Sequence, residues 1–214
     1  MIEYVKRYQK LLFGIFLGLI TCFFAVSIAA PSQSINPTTN SVNIQLLSNE
    51  ASLISYQQQA ESVLIAQDSM SSQSSPLKRF VAVLSSNDVV PTPSMETFAT
   101  GAVGAALNGN RLVVRGDFRG LSSPLRDYAT DPVSPPNPKI TSGIHMHRGT
   151  LKENGPFQNA LEVQAEPNGL NGRVKGEFTL TDEQLQALNN GTLYIDIHTK
   201  SFRAGELRGV LKSI

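Results

Sequence analysis

The sequence contains a single cysteine and no tryptophan. One cysteine cannot form an intramolecular disulfide or supply the ligands of a cysteine-based zinc site, so both features are excluded. The net charge at pH 7 is only +1, because 18 Lys and Arg residues are balanced by 17 Asp and Glu residues. A chain without excess positive charge has no general attraction for nucleic acid, and we therefore predict no nucleic-acid partner.

Several sequence patterns of enzymes are also absent. The chain has no Gly-x-Ser-x-Gly segment, which positions the nucleophile of many hydrolases, and no glycine-rich phosphate-binding loop. These absences favour a non-catalytic protein over an enzyme.

Residues 1–30 have the pattern of an export signal. Lys6, Arg7 and Lys10 precede an apolar run from Leu11 to Ala30, and small residues end that run. The pattern is typical of a signal peptide, and because the run is just long enough to span a bilayer, an uncleaved membrane anchor is the alternative. In both cases we expect an exported chain, periplasmic, extracellular or membrane-anchored with its C-terminal domain outside. We expect contact with the membrane only if this segment is uncleaved, and then only through it.

Residues 31–76 are predicted to be a disordered, polar, low-complexity spacer. About half of the residues from 31 to 75 are Ser, Gln or Asn, and none is Lys or Arg. Such a segment buries too little apolar surface to offset the entropy lost on folding. The stretch from Glu50 to Gln67 carries apolar residues among good helix formers, so a marginal amphipathic helix is the alternative there.

Residues 77–214 are predicted to form an all-β domain. Asn108-Gly109-Asn110 separates two β-rich segments, which predicts a tight hairpin, and the capping-box pattern from Thr181 to Gln184 predicts one short helix. Short segments with strand-like alternation indicate an antiparallel Greek-key-like sandwich or barrel. The predicted strands are residues 79–85, 99–107, 111–118, 141–147, 173–180, 192–199 and 206–212.

Several segments of this domain resemble the landmarks of the CHRD domain, the module named after chordin that also occurs singly in bacterial exported proteins. The resemblance extends from about Lys78 to Leu211. It implies an all-β fold and an extracellular location, and the chordin members of the family point to protein binding, but the family has no generally assigned activity. The segments are Phe80–Ser85, Gly101–Gly109, Gly116–Leu121, Gly143–Gly149, Asn154–Pro156, Leu193–Thr199 and Ala204–Gly209.

All three histidines of the chain, His145, His147 and His198, lie in the predicted β domain. Residues two apart on a strand point to the same face, so His145 and His147 project together, and His198 shares a face with Asp196. If the two strands are neighbours, the imidazoles meet and form a ligand set suited to copper or zinc with one vacant position. The alternative is that the rings bond to main-chain groups, or to Asp196 and Glu206, and so order loops.

The His-x-His strand, followed much later by Ala-Gly-x-x-Arg-Gly, also looks like the copper-zinc superoxide dismutase sandwich, in which clustered histidines bind copper and an arginine helps to attract the anion. This resemblance implies copper bound by the three histidines, with Arg208 nearby. Asp196 and Glu206 are candidates for orienting the histidine rings. The residues of a second, zinc site are not recognisable.

Two functions remain open. The first is an exported, non-catalytic binding or structural module whose loops, including residues 124–142, contact an extracellular or envelope protein. The second is a copper- or zinc-binding protein built on the three histidines. The mutual placement of the three imidazoles is the observation that best discriminates between them.

Overall fold

A computed structural model describes residues 37–68, 76–93 and 96–214 of the chain. The predicted signal or anchor segment, residues 1–30, lies outside these ranges. Within them, no helix combines the length and the apolar character needed to cross a bilayer.

The described residues form two α-helices and ten β-strands. A single 3-10 turn, Ser86–Asp88, follows the first strand. The helices are α1 (Pro37–Asp68) and α2 (Asp182–Asn189). The strands are β1 (Lys78–Leu84), β2 (Thr100–Asn108), β3 (Arg111–Arg119), β4 (Ile144–Arg148), β5 (Phe157–Ala160), β6 (Glu162–Ala165), β7 (Gly172–Thr179), β8 (Leu193–Ile197), β9 (Leu207–Val210) and β10 (Lys212–Ser213).

The strands form two antiparallel sheets. One sheet has six strands in the order β10-β1-β2-β3-β7-β6, and the other has four in the order β5-β4-β8-β9. Apolar side chains from both sheets meet in one core, which confirms the predicted all-β antiparallel sandwich. Its large members include Phe80, Leu84, Leu112, Val114, Phe118, Ile144, Met146, Ile195, Ile197 and Leu207.

Two chain segments pass from one sheet into the other. Only Leu161 separates β5 from β6, and only Leu211 separates β9 from β10. Both leucines are buried in the core, and their amides donate hydrogen bonds to the carbonyls of Ile144 and Leu193. Each segment therefore belongs to both sheets and joins them along one corner, so the sandwich approaches a flattened barrel.

The hairpin of β2 and β3 confirms the prediction from Asn108-Gly109-Asn110. Asn108 pairs with Arg111, which leaves Gly109 and Asn110 as a two-residue loop, and Gly109 has a φ of 59°. This left-handed value favours glycine. Helix α2 also begins as predicted, because Thr181 and the residue three positions later form the reciprocal bonds of a capping box.

The second half of α1 packs against the outer face of the six-stranded sheet. Ala60 and Leu64, one helical turn apart, are fully buried with Ala106 of β2 and Val113 of β3. For residues 50–68 the structure therefore corresponds to the helical alternative and differs from a disordered spacer. This contact is hard to predict from the sequence, because the helix is mostly polar and the face of the sheet that it covers consists of small residues.

The close approach of α1 depends on Gly104 in β2. A β-carbon at position 104 would lie 2.6 Å from the main-chain carbonyl carbon of Tyr56 and 2.7 Å from the Cα of Gln57. Such distances are shorter than the van der Waals contacts of a packed interior. Any larger residue at this position must therefore push the helix away from the sheet.

We predict that Gly104→Val releases α1 from the sheet. Valine suits a strand better than glycine does, so a destabilising effect must come from the helix contact. Hydrogen–deuterium exchange of residues 50–68 is expected to rise, with a loss of about 1–3 kcal/mol in unfolding free energy. The exposed Ile65→Ser on the same helix is the control, and unchanged exchange of the helix in a folded Gly104→Val protein would contradict the prediction.

Candidate metal centre

Strands β4 and β8 are neighbours in the four-stranded sheet, which is the arrangement that a three-histidine site requires. The antiparallel register pairs His145 with Asp196 and His147 with Tyr194. His198 follows directly after β8, on the same face as Asp196. It therefore lies diagonally across the strand pair from His145, at the distance of cross-strand neighbours.

Strand alternation keeps the histidines out of the hydrophobic core. Ile144 and Met146 of β4, like Ile195 and Ile197 of β8, point into the core between the sheets. The intervening residues face the outside of the sandwich. There the loops 120–143, 149–156 and 198–206 supply groups that contact them.

The structure brings all three imidazoles together. The His145 ring centroid lies 4.8 Å from that of His198 and 5.5 Å from that of His147, and the remaining pair is 6.1 Å apart. One nitrogen of each ring lies within 4.8 Å of the nitrogens of the other two. His145 is 1 % exposed and His198 8 %, whereas His147 is half-buried.

Each ring uses one nitrogen to bond a main-chain carbonyl. His145 Nε2 lies 2.6 Å from the Ser142 carbonyl oxygen, and His147 Nδ1 lies 3.0 Å from that of Gly155. His198 Nδ1 lies 3.0 Å from the carbonyl oxygen of the residue five positions later. A carbonyl only accepts, so each of these ring nitrogens carries a proton and donates it. The loop-ordering bonds of the sequence analysis are therefore present, at one nitrogen of each ring.

Burial keeps the three rings neutral. It is the largest cause that lowers the pKa of His145 to about 3 and that of His198 to about 4, and it also lowers the pKa of His147. A neutral imidazole with one nitrogen protonated has a lone pair on the other nitrogen. The lone pairs are therefore on His145 Nδ1, His147 Nε2 and His198 Nε2.

These three nitrogens have no protons to share among themselves. His145 Nδ1 and His147 Nε2 are 3.4 Å apart, and His198 Nε2 is buried without a hydrogen-bond partner among the described residues. Two nitrogens bound to one zinc or copper ion at 2.0–2.1 Å in tetrahedral geometry are themselves about 3.3 Å apart. A metal ion satisfies facing lone pairs that no hydrogen bond between the rings can satisfy.

Asp196 and Arg208 form a buried ion pair beside the histidines. Arg208 Nε and Nη2 each lie 2.7 Å from one carboxylate oxygen of Asp196, and the guanidinium also donates to the Glu153 carbonyl and the Asn154 side chain. Asp196 Oδ2 is 4.0 Å from His198 Nε2, too far for a hydrogen bond. The Arg208 guanidinium therefore donates its hydrogen bonds to other groups of the protein. The dismutase resemblance implies instead an arginine whose donors attract an anion.

Glu206 acts on the surrounding loops. Its carboxylate is fully buried and accepts hydrogen bonds from the hydroxyls of Thr97, Ser122 and Thr199 and from the amide of Ser122. These bonds tie three loops together. The sequence predicts that Glu206 orients a histidine ring, but none of these hydrogen bonds joins Glu206 to a histidine.

Three aromatic residues line the site. The Tyr128 ring lies 5.1 Å from that of His145, and Tyr194 stacks on His147 at 5.4 Å and 10°. Phe157 meets His145 edge-on at 5.6 Å. Tyr194 lies on the face that it shares with Asp196 and His198, as the alternation along β8 predicts. Tyr128 lies in an irregular proline-rich loop, where no periodic pattern indicates which side chain points inward.

The chain was compared with known protein families and proteins. The family model described as CHRD domain matches residues 80–211, which is more than half of the chain. No curated protein matches the chain significantly.

We predict that the metal-free protein loses stability as the pH falls from about 6.5 towards 4. The histidines of the unfolded chain have ordinary pKa values near 6.5. Below that pH the unfolded chain therefore binds protons that the buried rings of the folded chain do not bind, and this favours unfolding. Each buried histidine then contributes a slope approaching about 1.4 kcal/mol per pH unit. Chemical denaturation at pH 7, 6 and 5 measures the effect above the range of ordinary carboxylates, and a flat profile would contradict it.

We also predict that Arg208→Lys lowers the unfolding free energy by at least about 2 kcal/mol. Lysine keeps the charge but cannot donate to both oxygens of Asp196 and to Glu153 and Asn154 at once. The exposed Arg148→Lys is the matched control and is expected to change stability by less than about 0.5 kcal/mol. Equal stability of the two variants in denaturant titrations would rule out the structural role of Arg208.

Proposed function

The chain belongs to the CHRD domain family, and within that family we propose that it acts as a binding protein for one transition-metal ion, copper or zinc, held by His145, His147 and His198. Family membership supplies the all-β scaffold but no activity. The proposal therefore depends on the residues of the four-stranded sheet.

One observation carries the proposal: the unprotonated nitrogens of His145 and His147 are 3.4 Å apart, and one nitrogen of each of the three rings lies within 4.8 Å of the others. Main-chain carbonyls fix the outward nitrogen of each ring, so the tautomers and orientations are those of metal-ligating histidines. His198 Nε2 gives the strongest support for a bound metal ion. It is buried without a hydrogen-bond partner among the described residues, and an unsatisfied buried polar atom lowers stability.

Binding, rather than dismutase-like catalysis, is the function that the contacts favour. An arginine that attracts an anion must keep donors free, whereas the Arg208 guanidinium is bonded to Asp196, Glu153 and Asn154. Loop 120–143, through Tyr128, also lies against two of the three rings.

Export and a protein partner are further parts of the proposal. The N-terminal sequence pattern supports export of the domain, followed by signal cleavage or retention as an anchor. Within the predicted partner loop, Tyr128 contacts the histidines, and residues 134–136 are exposed. These outward residues remain the predicted contact with an extracellular or envelope protein.

Metal loading of the purified chain tests the proposal. The chain is stripped with a chelator, incubated with copper or zinc, desalted and analysed for metal content. We expect about one equivalent of bound metal, and less than about one tenth of an equivalent of either ion would dispose of the proposal.

Substitution of His147 assigns the bound metal to the site. His147 is the least buried of the three rings, so His147→Gln removes a metal-facing nitrogen with the smallest change in packing. We expect at least about 100-fold weaker binding from this variant. Lys152→Ala, an exposed change in the neighbouring loop, should bind normally, and equal affinity of the two variants would place the metal elsewhere.

A further inference from the structure

The donor set of the proposed metal site contains no negative charge. Asp196 is the carboxylate beside the ring nitrogens, and its Oδ2 is 4.0 Å from His198 Nε2. Both of its oxygens are already bonded to Arg208, at 2.7 Å each. An ion bound by the three neutral imidazoles therefore keeps its full positive charge.

Two guanidinium groups lie over the tyrosine rings that line the site. The Arg126 guanidinium carbon is 4.5 Å from the centre of the Tyr128 ring, which in turn lies 5.1 Å from the His145 ring. On the other side, Arg208 lies 4.3 Å over the ring of Tyr194, which stacks on His147. On each of two sides, an arginine, a tyrosine and a histidine thus follow one another. The Tyr194 and His147 rings are stacked, whereas the Tyr128 and His145 rings are tilted by 60°.

Two carboxylates beside the site are each paired with one of these arginines. Arg126 Nε is 2.9 Å from Asp131 Oδ2, and Arg208 is paired with Asp196. These two ion pairs therefore supply no net negative charge to a bound cation.

Because the site is buried, the charge of the ion strongly affects the free energy of binding. The cost of moving an ion from water into a low-dielectric site rises with the square of its charge, so a divalent ion costs about four times as much as a monovalent one. Zn(II) commonly offsets this cost with a water or an anionic side chain as an additional ligand. Cu(I), a monovalent ion, forms stable complexes with two or three neutral nitrogen ligands.

On the basis of the function proposed above, we propose that this site selects the cuprous ion, Cu(I), over Zn(II) and Cu(II). Three neutral imidazoles, two guanidinium groups over flanking tyrosine rings and burial together favour the lower charge and the lower coordination number. The bound copper is then stabilised in its reduced state.

Competition titrations under anaerobic conditions test this selectivity. The full chain is titrated with Cu(I) against bathocuproine disulfonate, and with Zn(II) and Cu(II) against chromophoric chelators. We expect a Kd for Cu(I) at least about 100-fold lower than for either divalent ion. For copper this ratio raises the reduction potential of the bound ion by about 120 mV over that of the free couple.

The outcomes separate this inference from the proposed function. Zn(II) or Cu(II) bound within about 10-fold of Cu(I) would overturn the selectivity and leave the metal site intact. Absence of binding of all three ions, or binding that His147→Gln does not weaken, would overturn the proposed function itself.

A charge placed at the wall of the site tests the cause of the selectivity. Tyr128→Glu puts a carboxylate where a ring now contacts His145 and His198, and we expect it to reduce the preference for Cu(I) over Zn(II) at least about 10-fold. Thr130→Glu adds the same charge at an exposed position of the same loop, where solvent screens it, and should leave the preference unchanged. An unchanged preference in Tyr128→Glu would show that charge does not set the selectivity.

Discussion

The antiparallel pairing of β4 with β8 is the constraint on which the rest of the site depends. A slip of one residue in either strand would turn its histidines into the core and its apolar residues outward. Ile144 and Met146 in β4, and Ile195 and Ile197 in β8, prevent that slip, because exposing a single large apolar side chain costs about 1.5–3 kcal/mol. The hydrophobic core therefore sets the positions of the imidazoles, although they lie on the opposite face of the sheet.

The polar layer outside that sheet combines two roles that the sequence analysis treated as alternatives. Each imidazole has two nitrogens, and each role needs only one of them. The nitrogen that donates to a loop carbonyl orders the loop and fixes the tautomer, and that tautomer leaves the other nitrogen able to bind a metal. Arg208 and Glu206 hold the same loops through their own buried bonds. Loop order and the capacity to bind a metal ion are thus consequences of one set of hydrogen bonds.

The parts of the fold that the sequence predicted correctly are those governed by local rules. The Gly109 hairpin and the Thr181 capping box each follow from a few adjacent residues, and the shared face of His145 and His147 follows from the period of a strand. Features that depend on distant partners were not predictable. The burial of the polar helix α1 depends on a glycine in β2, and the inward position of Tyr128 depends on how a proline-rich loop folds over the sheet. Strands β5 and β6 were missed because their residues are half-buried or exposed on both faces and show no regular alternation.

The crossings at Leu161 and Leu211 also limit how this protein can meet other molecules. The strands at the sheet margins, β5, β6, β9 and β10, have at most four residues each before the chain turns a corner. Margins this short are poor templates for an added strand, whether it comes from a foreign peptide or from an aggregating copy of the same chain. A protein that recognises this domain must therefore contact side chains of its loops or helices. Recognition then depends on the sequence of those segments rather than on backbone hydrogen bonding.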